Sequence, residues 1–250
     1  MLLLLDAGNT RLKWAIADKA RTIAESGAIE YFDFDDVLQR LAVNQCFTAV
    51  LVSSVAGDDR NRLLTEICKK HLNHEPEFVC VNESDCGIQN NYQALDRLGV
   101  DRWVAAMGAA NRVGVNRIIV DAGTAVTIDI VDADNTFLGG VILPGSKLMH
   151  DSLVGETAGI DSMRQPVSSV VGTTTVECVN SGVLYGLAGA IDRVIAEIFA
   201  LKSDDRPWQV LLCGGDANWV QSQLKTELPK THTPHLLFLG LLNLHAFGGV

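Results

Sequence analysis

Short continuous apolar runs alternate with amphipathic stretches along this chain, and that alternation predicts an α/β protein. Met1–Leu5 is apolar throughout, as a strand buried on both faces would be. Arg11–Asp18 partly alternates and Thr22–Tyr31 reads as a third strand, so a buried strand leads into a hairpin meander. Asp33–Ala42, with Val37, Leu38, Leu41 and Ala42, predicts a helix. Thr48–Ser54 predicts a strand, Asp59–His71 a helix with Leu63, Leu64 and Ile67 on one face, and Phe78–Val81 a short strand. Asn82–Asn91 is mostly polar, carries Gly87 and reads as loop. Asp101–Val113 reads as a helix with a small-residue stripe of Ala105, Ala106, Ala109 and Ala110.

The pattern then starts again. RIIVDAGTAVTIDIV, from Arg117, repeats the grammar of LLLLDAGNTRLKWAI, from Leu2: an apolar strand, Asp-Ala-Gly, one or two small polar residues, and another strand. Asp132–Asn135 is a polar turn and Phe137–Leu143 the return strand. Lys147–Val154 has a helical pattern, and a polar loop runs to Val170. Thr175–Leu201 reads as one long helix, Trp208–Cys213 as a buried strand ending in Gly214-Gly215-Asp216, Asn218–Thr226 as a helix and Leu236–Phe247 as an apolar closing helix. A repeat at half-chain length is too long for a solenoid period. It predicts two similar α/β halves, 1–115 and 116–250, although Asp-Gly turns also follow strands for purely structural reasons.

Three buried strands thus end in glycine beside aspartate: Asp6-Ala7-Gly8, Asp121-Ala122-Gly123 and Gly214-Gly215-Asp216. Glycine lets a backbone turn approach a ligand closely with its amides pointing outward, which suits a phosphate. Thr10 offers a hydroxyl and Lys13 a point charge. Aspartates at an anion site make sense when a cation bridges them, and Mg²⁺ is commonly held by one or two carboxylates plus phosphate oxygens. Asp6 and Asp121 therefore point to a metal–nucleotide. The formal charge of −10 argues against nucleic-acid binding through a basic surface, and a small anionic ligand would need local positive groups. The six cysteines show no CxxC spacing and read as reduced thiols, and the six histidines show no ligand spacing. No apolar stretch reaches ~18 residues, so neither a signal peptide nor a membrane span is expected, and a cytoplasmic location is.

GxxxxGK[ST] and GxGxxG are both absent, which removes the P-loop and the Rossmann dinucleotide site. Two facing glycine hairpins resemble the superfamily of acetate kinases, sugar kinases, heat-shock chaperone ATPases and actin. DxGNTxxK (Asp6–Lys13), GxDRW (Gly99–Trp103), DxGTAxTxD (Asp121–Asp129), GGxIxPG (Gly139–Gly145) and GGDA (Gly214–Ala217) occur in that order. The ordered set resembles type III pantothenate kinase, from about Leu3 to about Leu244.

That resemblance implies two duplicated actin-like (ribonuclease H-like) α/β halves with mixed sheets facing a central nucleotide cleft. It implies ATP-dependent phosphorylation of pantothenate to 4'-phosphopantothenate, the first step of coenzyme A biosynthesis. The first motif, Asp6, Ala7, Gly8, Asn9, Thr10, Arg11, Leu12 and Lys13, would bind ATP phosphates, with Asp6 the acid associated with Mg²⁺. Thr124, Gly214 and Gly215 would also meet ATP, and Asp121 would ligate a monovalent cation, K⁺ or NH₄⁺. Gly99, Val100, Asp101 and Arg102 would bind pantothenate with Tyr92, Asp101 being the general base. The substrate threonine falls in Thr173–Thr175, with Thr175 implied and a register of one position open. A homodimer is implied. The alternatives are another small-molecule kinase of the superfamily, such as a sugar or acyl kinase, and a non-catalytic regulatory relative.

Overall fold

The computed structural model describes residues 1–167, 169–201 and 205–248. In chain order its elements begin with strands β1 (Leu2–Ala7), β2 (Leu12–Ala17) and β3 (Ile23–Ile29), then helix α1 (Phe34–Asn44). Next come β4 (Ala49–Ser54), α2 (Asp58–Leu72), β5 (Glu77–Phe78), β6 (Ser84–Asp85), β7 (Ile88–Asn90) and α3 (Val100–Gly108). The second run comprises β8 (Asn116–Ala122), β9 (Ala125–Val131), β10 (Thr136–Pro144), α4 (Ser146–Glu156), α5 (Thr175–Leu201), β11 (Trp208–Cys213), α6 (Ala217–Gln223) and β12 (Lys230–His232), and α7 (Leu236–Ala246) closes the chain.

Two compact units result, Met1–Asn111 with His235–Val250, and Arg112–Pro234. Each is organised on one plan. The first sheet runs β3-β2-β1-β4-β5, and the second carries the order β10-β9-β8-β11-β12. In both, the first three strands are antiparallel neighbours, while the fourth and fifth join parallel to the first through helical crossovers. The leucine run of β1 is buried on both faces, as its unbroken apolarity requires. Leu3, Leu5 and Ala7 pack with Val50 and Val52 against Phe34 and Leu38 of α1 and Leu64 and Ile67 of α2. In the second unit Ile118, Val120 and Ala122 pack likewise against Leu187, Ile191 and Ile195 of α5 and Val220 of α6. Because side chains alternate across a strand, Asp6 and Asp121 both lie on the other sheet face.

On that other face of the first sheet lie α3, against β4, and α7, against β1 and β4. Sequence order puts α7 in the second half of the chain; in space it packs on α3. The crossing is tight because both helices carry glycine at it. A Cβ on Gly108 would sit 2.1 Å from the Leu236 carbonyl oxygen, and one on Gly240 would sit 2.0 Å from that of Val104. The Asn243 side-chain amide donates to the Met107 carbonyl at 2.8 Å.

Three local expectations need correcting. The predicted loop at 82–91 contains the β6–β7 hairpin, whose turn residues Cys86 and Gly87 both have positive φ, at 51° and 77°, the requirement of a two-residue type I′ turn. The third helix stops at Gly108, not Val113, where its backbone meets Leu236. The strand predicted at Phe78–Val81 is two residues long and starts earlier, at Glu77. Among the described residues, all six cysteines are free thiols, Cys68 and Cys213 buried, and no helix is long and apolar enough to cross a membrane.

Candidate active site

The β1–β2 hairpin brings the first motif into register. Asp6 pairs with Lys13 across the strands and Ala7 with Leu12, both of the latter fully buried. Lys13 Nζ lies 3.2 Å from Asp6 Oδ2, with the carboxylate buried and the ammonium more than a third exposed. On the other side Asp6 is in register with Ser53 of β4, so Lys13, Asp6 and Ser53 form a row on the face that also carries α3 and α7. The Ser53 hydroxyl is buried and has no hydrogen-bond partner among the described residues. Between the strands, the Gly8 amide donates to the Arg11 carbonyl at 3.2 Å and closes the turn, leaving Asn9, Thr10 and Arg11 exposed. Arg11 points to Glu30 at 3.6 Å.

The second cluster sits at the start of α3. Gly99 is the N-cap, Val100 opens the helix, and Asp101 and Arg102 follow in its first turn. Asp101 Oδ1 accepts the Arg102 amide at 2.9 Å and so folds back over the cap. A Cβ on residue 99 would stand 2.6 Å from that oxygen, so any side chain there would push the Asp101 carboxylate out of this position. The Arg102 guanidinium lies 5.6 Å from the centre of the Tyr92 ring, within cation–π range, so Tyr92 and Arg102 are brought together. Trp103, fully buried, donates from Nε1 to Asp85 Oδ2 at 2.8 Å and ties α3 to the β6–β7 hairpin.

In the second unit Asp121 ends β8 opposite Thr127 of β9. Gly123 donates to the Ala125 carbonyl at 3.0 Å, and Gly145 to the Thr124 carbonyl at 3.0 Å. The Gly214 turn, at φ +91°, packs directly on this hairpin: a Cβ there would lie 2.4 Å from both Asp121 Oδ1 and the Ala122 carbonyl oxygen. Asp216 donates its amide to that same carbonyl at 2.9 Å and accepts the Ser146 hydroxyl at 2.5 Å. Asp121, Thr124, Gly214 and Gly215 thus belong to one loop cluster. Beside it a hollow of about 520 Å³ is lined by Ser146, His150, Arg164, Asn180, Asp216 and Trp219, among others, a volume suited to a small ligand.

A family model described as type III pantothenate kinase matches residues 2–197. The chain belongs to the type III pantothenate kinase family. It is 35% identical over 259 residues to a Type III pantothenate kinase of Polaromonas sp. (strain JS666), covering 97% of this chain and 96% of that one. It is 32% identical over 260 residues to a Type III pantothenate kinase of Nitrosococcus oceani, covering 96% and 92%. Among solved structures, the activator of the 2-hydroxyisocaproyl-CoA dehydratase from Clostridium difficile with bound ADPNP aligns at a TM-score of 0.55 and 15% identity, over 99% of this chain and 94% of that one. That likeness carries the fold alone, the duplicated actin-like one.

The threonine that the sequence resemblance implies for substrate lies away from this loop cluster. Thr175 is the first residue of α5 and lines a hollow of about 510 Å³ with Gly172, Thr173, Thr174 and Cys178, a lining that includes no residue of the 121–124 or 214–216 loops. The amides of Thr173 and Thr174 donate to Glu177 Oε2 at 2.7 and 3.2 Å, the Thr173 hydroxyl donates to it at 3.0 Å, and Glu177 returns its amide to Thr174 Oγ1 at 3.2 Å. This is a capping box on Thr174. The Thr173 amide above all, with the other donors, holds the Glu177 carboxyl below its usual range. Thr175 contributes no atom to the box. Sequence reading of this type III pantothenate kinase family member missed Ser53, Tyr31 and Arg60. Ser53 carried a usable signal, since a polar residue ends the apolar run of β4 as Asp6 ends that of β1.

Proposed function

We propose that this protein transfers the γ-phosphoryl group of ATP to the primary alcohol of pantothenate, forming 4'-phosphopantothenate and ADP, the first committed chemistry toward coenzyme A. Family membership supports the reaction, and the Gly99–Arg102 helix start is the single observation that carries the substrate side of the reading.

In this reading Asp101 accepts the hydroxyl proton as the alcohol attacks the γ-phosphorus. Its carboxylate is already fixed by the Arg102 amide and lies in the first turn of α3, where the helix dipole favours negative charge. Arg102 binds the substrate carboxylate, a planar guanidinium matched to it bidentately. Tyr92, Gly99 and Val100 complete that wall. Thr175 offers its hydroxyl to the substrate; that Thr173 and Thr174 are engaged with Glu177 while Thr175 is not supports this register. The Asp6–Lys13 loop holds ATP phosphates, and Lys13 offsets charge on the transferring group. Thr124, Gly214 and Gly215 serve the nucleotide from the second loop cluster.

The residues present fit a hydrated Mg²⁺. Asp6 is a buried carboxylate beside the orphaned Ser53 hydroxyl, a donor set of one carboxylate and one neutral oxygen that leaves room for waters and phosphate oxygens. Among the described residues no group of three or more His, Cys, Asp or Glu side chains gathers to hold a metal ion. When bound, Mg²⁺ neutralises phosphate charge as the phosphoryl group moves. Asp121 is proposed for the monovalent cation, because its cross-strand neighbour is Thr127 where Asp6 has Lys13. A cytoplasmic homodimer completes the reading.

The test is ADP release, coupled to a colour reaction, with pantothenate, pantetheine and a panel of sugars. Turnover with pantothenate and none with sugars is expected. Turnover with a sugar and none with pantothenate overturns the assignment.

A further inference from the structure

Two side chains outside every motif hold the backbone of the Asp6–Lys13 loop. Tyr31, at the start of the short turn before α1 and 8% exposed, donates its hydroxyl to the Gly8 carbonyl at 2.6 Å. Arg60, in the first turn of α2, donates from Nη1 to the Asn9 carbonyl at 2.5 Å. Its guanidinium lies 4.6 Å from the centre of the Tyr31 ring, so the two clamps brace each other. Burial, more than any charge, pushes the Tyr31 phenol up to about 12, so it stays a protonated donor throughout the neutral range.

The consequence follows from the peptide bond. In a trans peptide the carbonyl oxygen of one residue and the amide hydrogen of the next point to opposite sides of one plane. Pulling the Gly8 and Asn9 carbonyls toward Tyr31 and Arg60 therefore turns the amides of Asn9 and Thr10 the other way. Both residues are exposed. Successive amides aimed one way form an anion-binding concavity. We propose that Tyr31 and Arg60 are positioning residues that shape the Asn9–Thr10 amides into a phosphate cradle, with Arg60 adding positive charge behind it. The proposal rests on reading Asp6–Lys13 as the ATP phosphate loop.

The experiment compares Tyr31→Phe, Arg60→Met, Arg60→Lys and Lys13→Met, each checked for thermal stability, in steady-state kinetics and in direct binding of ATP and of adenosine. Loss of one charge-assisted or phenolic hydrogen bond should raise KM and Kd for ATP about tenfold in Tyr31→Phe and Arg60→Met. Adenosine binding, KM for pantothenate and kcat should stay within about twofold, since the cradle touches only phosphates. Arg60→Lys should recover part of the loss. If Lys13→Met weakens ATP while Tyr31→Phe and Arg60→Met do not, the clamp is wrong and the phosphate loop stands. If adenosine weakens as much as ATP, the effect is general and the clamp is overturned. If none of the variants changes ATP affinity, both the loop reading and the clamp fall.

Discussion

In the first unit the aspartate at the end of the central strand looks across its hairpin at a lysine; in the second it looks at a threonine. The strand order, the direction of each pairing and the face on which the aspartate lies are the same. The turns are not. Four residues, Gly8–Arg11, separate β1 from β2, whereas Gly123 and Thr124 alone separate β8 from β9. The longer turn is held by Tyr31 and Arg60, the shorter one by Gly145 and the Gly214 loop. Duplication therefore supplied two equivalent strand ends, and their differing neighbours let one keep a built-in ammonium while the other keeps a carboxylate facing a neutral hydroxyl. Keeping the scaffold and changing the cross-strand residue gives the two aspartates different electrostatic neighbours.

The sharpest break of that symmetry is in the chemistry. Asp101→Asn should cut kcat at least ~100-fold with nucleotide binding nearly intact, while Asp121→Asn should reduce turnover less and abolish its response to K⁺. Rapid-quench kinetics at fixed K⁺ and a K⁺ titration separate the two; near-normal turnover of Asp101→Asn removes it as the base. Next in size is packing confined to the first unit. Gly240→Ala forces a Cβ to within 2.0 Å of the Val104 carbonyl, against backbone that cannot yield cheaply. A loss of about 3 kcal/mol in denaturant unfolding is expected, whereas Gly182→Ala in the second unit, where a Cβ meets nothing, should be neutral or slightly stabilising.

A smaller effect tests the cross-strand idea directly. Thr127→Lys places an ammonium opposite Asp121, so K⁺ stimulation should fall to about onefold as the lysine takes over the cation's part; Lys13→Thr should make the reciprocal change and raise KM for ATP about tenfold. Persistent K⁺ stimulation of a folded Thr127→Lys enzyme would show that Asp121 plays no such role. The smallest effect is a pH dependence particular to the first unit. The Tyr31 phenol is raised in the folded protein from 10 to about 12. A raised pKa favours the folded state while the group is protonated, so this stability is fully present below pH 10 and is lost between pH 10 and about 12. Calorimetry across that window should show a steeper loss for the native chain than for Tyr31→Phe.

Much of this was legible in the residues, because the decisive signals were local. A buried strand that halts on Asp-Ala-Gly announces itself twice, and in GxDR the glycine leaves open the space into which the Asp101 carboxylate folds. What stayed hidden depended on distant partners or on elements too short to show a period. Two-residue strands such as β6 have no alternation to read. The short strand β12 (Lys230–His232) is fixed only by its pairing with β11. Tyr31 and Arg60 look like an ordinary aromatic and an ordinary surface cation until the fold carries them 23 and 51 residues back to the loop. The all-apolar text of α7 says that it is buried but cannot say against what; the matched glycines at 108 and 240 were the only hint.

The placement of α7 has a consequence for biosynthesis. A ribosome delivers Leu236–Ala246 after every residue of the second unit, yet those residues complete the first. During translation the helix bearing Asp101 waits for its cover, while the downstream unit already holds all its own strands. That helix is therefore covered only after the whole second unit has been made, and a product lacking Leu236–Ala246 would leave Gly108 and its neighbours open to water.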